Sequence, residues 1–181
     1  MDQSETLWLV VNPASGSNDD AARERLVAAL SDAGHKPARV IDITQDPDLS
    51  PSALDREGVT RVAIFTGDGS INSVLCSLEG WGGEVLVLPG GTTNLLAKAL
   101  HGEAVTTESV IADLTAGKLA PTRRSCITFS GGKAVSELLA GPGATWSDVR
   151  EELRECNLVA VAQTAIEAAK QTSGGALVRL R

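Results

Sequence analysis

"IFTGDGSIN", Ile64 to Asn72, decides how this chain is read. The apolar run "RVAIF" (61–65) ends there in a Gly-Asp-Gly-Ser turn, and a helical pattern follows. A turn from strand to helix needs one glycine at most. Two of them around an aspartate suggest that something approaches the backbone at this point. The aspartate then has to face whatever arrives.

The same grammar appears twice more. "LWLVV" (7–11) is a short strand ended by "NPASG", and "EVLVL" (84–88) is a strand ended by "PGGTTN". Between them lie an amphipathic helix over 19–33, a strand "ARVIDI" (38–43) and a loop with a short helix in 47–58. Helices follow over 95–100 and 104–116. Strands alternating with helices predict an α/β fold: a mostly parallel sheet with helices on both faces. In such a sheet, ligands bind at the carboxyl ends of the strands. The three Gly-rich loops each follow a strand, so they fall on that one edge.

The pattern changes near Ala120. "RRSCITF" and "KAVSELLAG" around "SGG" read as a hairpin, followed by a charged helix over 146–155 and an apolar helical stripe from Leu158 to Ala169. "ALVRLR" (176–181) alternates like a strand. The expectation is a first domain over 1–120 and the beginning of a second, β-rich lobe over 121–181 that looks incomplete. Unpaired strand edges there predict a homodimer formed by strand addition.

Composition narrows the function. The 181 residues carry a net charge of −7 and few aromatics, which argues against nucleic acid as a partner. The three cysteines stand far apart without a Cys/His ligand cluster, so a zinc site is not expected and the thiols suit a reducing cytoplasm. "MDQSETLWLVV" lacks a basic start and reads as a strand, not a signal peptide. "GDGSIN" is not the dinucleotide fingerprint, because Asn72 stands at its sixth position, and no GxxxxGK[ST] occurs. Ser15 lacks a nucleophile elbow. His35 and His101 sit beside helix-ending glycines and read as surface or capping residues.

What remains is phosphate. Gly-rich turns expose N–H groups, and a helix N-terminus adds unpaired donors and a favourable dipole. Ser70, Asn72, Thr92, Thr93 and Asn94 add neutral donors. A carboxylate beside phosphate is repulsive unless a cation mediates, so Asp68 suggests Mg²⁺. Taken singly, Asp68 also fits a plain N-cap, where Asn would serve equally well.

These residues resemble the diacylglycerol kinase catalytic-domain family, which includes sphingosine, ceramide and bacterial lipid kinases. The family's Asn-Pro-x-Ser/Ala-Gly matches "NPASG" at 12–16, its Gly-Gly-Asp-Gly-Thr-x-Asn matches "TGDGSIN" at 66–72, and its Pro-x-Gly-Thr-x-Asn-Asp matches "PGGTTNL" at 89–95. Order and spacing agree over about 120 residues, and "LLAGPGA" (138–144) looks like the family's entry into its second lobe. The resemblance implies a lipid kinase that uses ATP and Mg²⁺ to phosphorylate diacylglycerol or a related lipid, cytoplasmic and peripheral to the membrane during catalysis. It implies that Asn12, Ser15, Gly16, Thr44, Thr66, Gly67, Gly69, Ser70, Asn72 and Thr92 form the nucleotide site, with Asp68 catalytic. Thr66 and Ser70 depart from the family's Gly and Thr, and Leu95 from its acidic residue. The family's general base and structural Mg²⁺ site belong to the second lobe, and no match for them precedes Arg181. The alternatives are a NAD kinase, which shares the first-lobe fold, and a catalytically inactive nucleotide-binding module.

Overall fold

A computed structural model of the chain describes residues 5–15, 19–45, 47–129 and 132–135. All of these fall in the first of two units, Met1–Ser136. The predicted helix over 146–155, the stripe 158–169, "LLAGPGA" and "ALVRLR" lie outside the described residues.

Four parallel strands form the centre: β1 Leu7–Val11, β2 Arg39–Asp42, β3 Arg61–Thr66 and β4 Glu84–Pro89, in the order β2-β1-β3-β4. β1, β3 and β4 are rich in Val, Leu and Ile because both of their faces are covered, whereas the edge strand β2 buries only Ile41. Alternate residues go to opposite cores. Leu7, Leu9, Val11, Ala63, Phe65, Leu86 and Leu88 pack with Leu26, Leu30, Val110 and Ile111. Those partners belong to helices α1 (Asp20–Asp32) and α5 (Thr107–Thr115). Trp8, Val10, Val62, Ile64 and Val87 face the other way, onto Leu54, Ile71, Val74, Leu96 and Ala97. These come from α2 (Pro51–Arg56), α3 (Asp68–Ser77) and α4 (Leu95–His101).

The two-sided arrangement follows from handedness. The crossover from β1 through α1 runs outward to β2, while the next, through α2, runs back past β1 to β3. Right-handed crossovers in opposite directions place their helices on opposite faces. The order therefore switches between β1 and β3, and the helices that follow them, α1 and α3, lie on opposite faces of the sheet. Register brings the strand ends level: Val11 lies beside Asp42 and Phe65, and Thr66 beside Pro89. At the other edge, Arg61 bridges Glu5 and Glu84, and His35 Nδ1 lies 3.4 Å from Glu5. His101 Nε2 meets the Val87 carbonyl at 3.1 Å. Neither histidine faces the glycine loops.

The sequence reading missed a 3-10 turn, Ile43–Gln45, which Asp42 organises by accepting hydrogen bonds from Thr44 N and Oγ1. A small antiparallel sheet follows the parallel one: β5 Ile127–Phe129 and β6 Gly132–Ala134. Its described strands are shorter than the sequence suggested. A two-stranded hairpin is marginal alone, and here α3 supports it. Asn72 Nδ2 donates to the Lys133 carbonyl at 2.9 Å, and Asn72 Oδ1 accepts from Val135 N at 3.0 Å. One side-chain amide thus pairs with the hairpin as a peptide group would. Lys133 also bonds Glu79 just beyond α3, and the Glu79 carboxylate holds the Lys133 ammonium above its ordinary value.

Replacing Asn72 with Ala should cost about 1–3 kcal/mol, the penalty for stranding hydrogen-bonding groups. Hydrogen exchange at Val135 N–H should accelerate while the parallel sheet keeps its protection. Unchanged protection at Val135 would mean that the clamp contributes nothing.

Candidate nucleotide site

Three loops meet at the carboxyl edge, and each is tied to another by side chains. In the β1 loop, Asn12 Oδ1 accepts from Ala14 N at 2.9 Å, and Ser15 N donates to the Asn12 carbonyl at 3.0 Å. This tight turn aims the Asn12 amide at the β3 loop, where Nδ2 donates to Ser70 Oγ at 2.8 Å. Ser15 Oγ donates to the Gly90 carbonyl of the β4 loop at 3.2 Å.

The third tie is Asp68. It is the first residue of α3, with Gly67 as the cap, so it does not cap its own helix as a local reading allows. Its carboxylate reaches across to α4. Oδ2 accepts from Leu95 N and Oδ1 from Leu96 N, both at 3.1 Å. Asn94, which precedes α4, cannot supply that cap. Its backbone is left-handed (φ 55°, ψ 43°), and its side chain instead closes the "PGG" turn. Asn94 Oδ1 accepts from Gly91 N at 2.7 Å and Nδ2 donates to the Gly91 carbonyl at 2.9 Å. The aspartate is therefore the negative charge that complements the α4 dipole.

The glycines divide into two kinds. A Cβ on Gly90 would lie 2.5 Å from Thr66 N, and one on Gly91 would lie 2.6 Å from Gly67 Cα. These two let the β3 and β4 loops touch backbone to backbone. Gly69 is different: a Cβ there meets nothing within 4 Å, its φ is ordinary, and it stands exposed in the first turn of α3. Among the described residues no contact or backbone conformation calls for glycine at that position. Beside it, the N–H groups of Asp68, Gly69 and Ser70 find no acceptor among the described residues. Open donors at a ten-residue helix N-terminus, with a glycine that keeps the approach clear, fit an incoming phosphate.

The structure brings Asn12, Ser15, Gly67, Asp68, Gly69 and Ser70 together. Thr92 lies exposed on the adjoining loop. Thr66 is fully buried, and its Oγ1 donates to the Gly67 carbonyl at 3.1 Å, so its side chain does not face this edge. Asn72 is committed to the hairpin. Thr44 stands after β2 with its hydroxyl on Asp42, whose carboxyl these bonds, with smaller help from Gln45 and Arg23, hold below the usual carboxylate range. Gly16 lies outside the described residues. Sequence reasoning left Gly90 and Gly91 out of the site, although the doubled glycine carried the signal of close backbone contact, and it counted Asn94 as a donor to phosphate where its amide instead closes the Gly91 turn. Among the described residues no three His, Cys, Asp or Glu side chains converge into an all-protein metal cage, and each Asp68 oxygen accepts one backbone N–H group.

This geometry changes what substitutions should do. Asp68→Asn keeps one acceptor and turns an N–H donor toward another, so melting should fall by several degrees, corresponding to about 1–3 kcal/mol. Had Asp68 capped only its own helix, Asn would be neutral. Gly91→Ala should also destabilise, by about 1–3 kcal/mol through overpacking. Gly69→Ala should instead stabilise by about 0.5–1 kcal/mol, because a helical glycine is replaced in open space. Thermal melts of the three variants check all three signs.

The comparisons agree with this architecture. The chain superposes on the crystal structure of a diacylglycerol kinase from Bacillus anthracis str. Sterne with a TM-score of 0.55 at 19% identity, over 71% of this chain and 45% of that one. A second structure, a putative diacylglycerol kinase from the same strain, gives 0.48 at 19% identity over 62% and 42%. This chain thus matches less than half the length of either. No curated relative matches it. The model of the diacylglycerol kinase catalytic domain matches residues 6–124, from the start of β1 through α5 and past all three loops. With well over half of its length matched, the chain belongs to the diacylglycerol kinase catalytic-domain family.

Proposed function

We propose that this chain binds the phosphates of ATP at the N-terminus of α3 and serves transfer of the terminal phosphoryl group to a hydroxyl of diacylglycerol or a related lipid. The observation that carries this reading is the N–H array at Asp68–Ser70, open among the described residues, beside a glycine that none of them requires. The lipid acceptor rests on the family and on the name of its solved member.

Phosphoryl transfer asks a protein mainly for positioning and for stabilisation of charge. The free N–H groups at α3 supply fixed donors that need no rearrangement when phosphate arrives. Ser70 Oγ accepts from Asn12, so its own O–H points elsewhere and can donate to a phosphate oxygen. Asn12 thereby sets the rotor of a ligand-facing hydroxyl. Thr92 offers a second hydroxyl from the β4 loop. Asp68 holds that loop against α3 while Ser15 fastens it to the β1 loop, and so they set the distance between the two groups of donors. Mg²⁺ would arrive on the nucleotide, where it neutralises phosphate charge. The acidic balance of the chain favours that neutralisation; among the described residues Arg23, paired with Asp20, acts on Asp42 at this edge.

Gly69→Val tests the site directly. The space around Gly69 tolerates the side chain, so the variant should fold, while the bulk covers the N–H groups. Calorimetry with Mg·ATP should show affinity reduced by about tenfold or more, on the scale of charge-assisted hydrogen bonds. Unchanged affinity in a folded variant would remove phosphate from this position. Incubation with labelled ATP and candidate acceptors then separates the readings: a phosphorylated lipid supports this one, NADP from NAD supports a NAD kinase, and binding without product supports an inactive module.

A further inference from the structure

Residues 114–136 contain four basic side chains, Lys118, Arg123, Arg124 and Lys133, and no acidic one, in a chain whose net charge is −7. Lys118 pairs with Asp113, and Lys133 with Glu79. Arg123 and Arg124 meet no carboxylate among the described residues and stand in a stretch, 121–129, that is exposed at every position. The same stretch carries Ile127 and Phe129, which are 54% and 42% exposed. Only Val40 joins them as an exposed large hydrophobic residue among the described residues, so the apolar exposure is concentrated here. Strand alternation puts Ile127 and Phe129 on one face of β5.

We propose that the segment Arg123–Phe129 docks the protein on an anionic lipid bilayer, with the arginines on the headgroups and Ile127 and Phe129 inserted at the acyl boundary. Two apolar side chains on a three-residue strand fall far short of the roughly 800 Å² that each partner buries in a stable protein interface. Peripheral membrane binding needs less: a small apolar insertion plus local basic charge, acting together. Charge also selects the surface. An acidic protein is repelled by an anionic bilayer except where its own acids are absent, and this segment is such a place. Its purpose rests on the lipid-acceptor reading, because docking would bring the phosphate edge to a membrane-bound substrate. The physical claim does not need catalysis.

The test is co-sedimentation of the full 181-residue chain, without nucleotide, with vesicles of phosphatidylcholine alone or mixed with phosphatidylglycerol. The chain should bind the anionic vesicles, bind the neutral ones much less, and release at high salt. Arg123→Gln with Arg124→Gln should weaken binding about thirtyfold, from the usual contribution of a basic residue near an anionic surface. Ile127→Ser with Phe129→Ser should weaken it as well, at an unchanged melting temperature. Should that pair unfold the hairpin, the arginine pair still decides, because it lies outside any strand. Absence of binding to anionic vesicles, equal binding to neutral ones, or indifference to the arginine pair would each overturn the proposal. So would light scattering that shows a dimer split by the Ile127/Phe129 pair, which would assign the surface to a second copy. Calorimetry with Mg·ATP is independent of these outcomes, so failure of docking leaves the nucleotide reading standing, and the reverse also holds.

Discussion

The carboxylate of Asp68 bridges the starts of two helices, and the geometry of the carboxyl edge depends on it. Backbone N–H groups at the first turn of α4 have no partner within the helix, and the left-handed Asn94 does not provide one. Asp68 satisfies two of them from a neighbouring loop. The negative end of the pairing is part of the protein, so the α4 terminus is closed to an outside anion. The α3 terminus, which begins at the same aspartate, stays open among the described residues. Two helices with similar electrostatic ends thereby acquire different tasks.

Close backbone contact makes this division possible. Gly91 lies against Gly67, and Gly90 against Thr66, with no room for side chains between them. That proximity brings α4 within reach of a short aspartate. Ser15 then fastens the first loop to the third and Asn12 fastens it to the second. The edge becomes a rigid frame in which one exposed glycine, Gly69, marks the approach. Glycine therefore carries two meanings within a few ångströms: packing at 90 and 91, and access at 69. Substitution separates them, because the added methyl group is costly in the first case and harmless to folding in the second.

The helix that presents the open donors also holds the small antiparallel sheet. Ser70 and Asn72 are two residues apart on α3, yet one is fixed by the β1 loop and the other clamps β6. The clamp ends at Val135, close to the end of the first unit at Ser136. Within the described residues a single asparagine amide thus keeps α3 and β6 in register.

The sequence determined the alternation of strands and helices, their approximate bounds and the gathering of three Gly-rich loops on one edge. These follow from local periodicity and from the parallel order that alternation imposes, and the family motifs were legible for the same reason. It also marked Asp68 as unusual without revealing its partner. That partner lies 27 residues away, Asn12 meets Ser70 across 58, Asn72 meets Val135 across 63, and Ser15 meets Gly90 across 75. No local pattern encodes which distant backbone group a short polar side chain will find. Only the packed sheet, by setting the strand ends level and the loops in contact, decided that Asp68 caps α4, that Asn72 belongs to the hairpin, that Thr66 is core, and that Gly69 faces open space where Gly90 and Gly91 are packed.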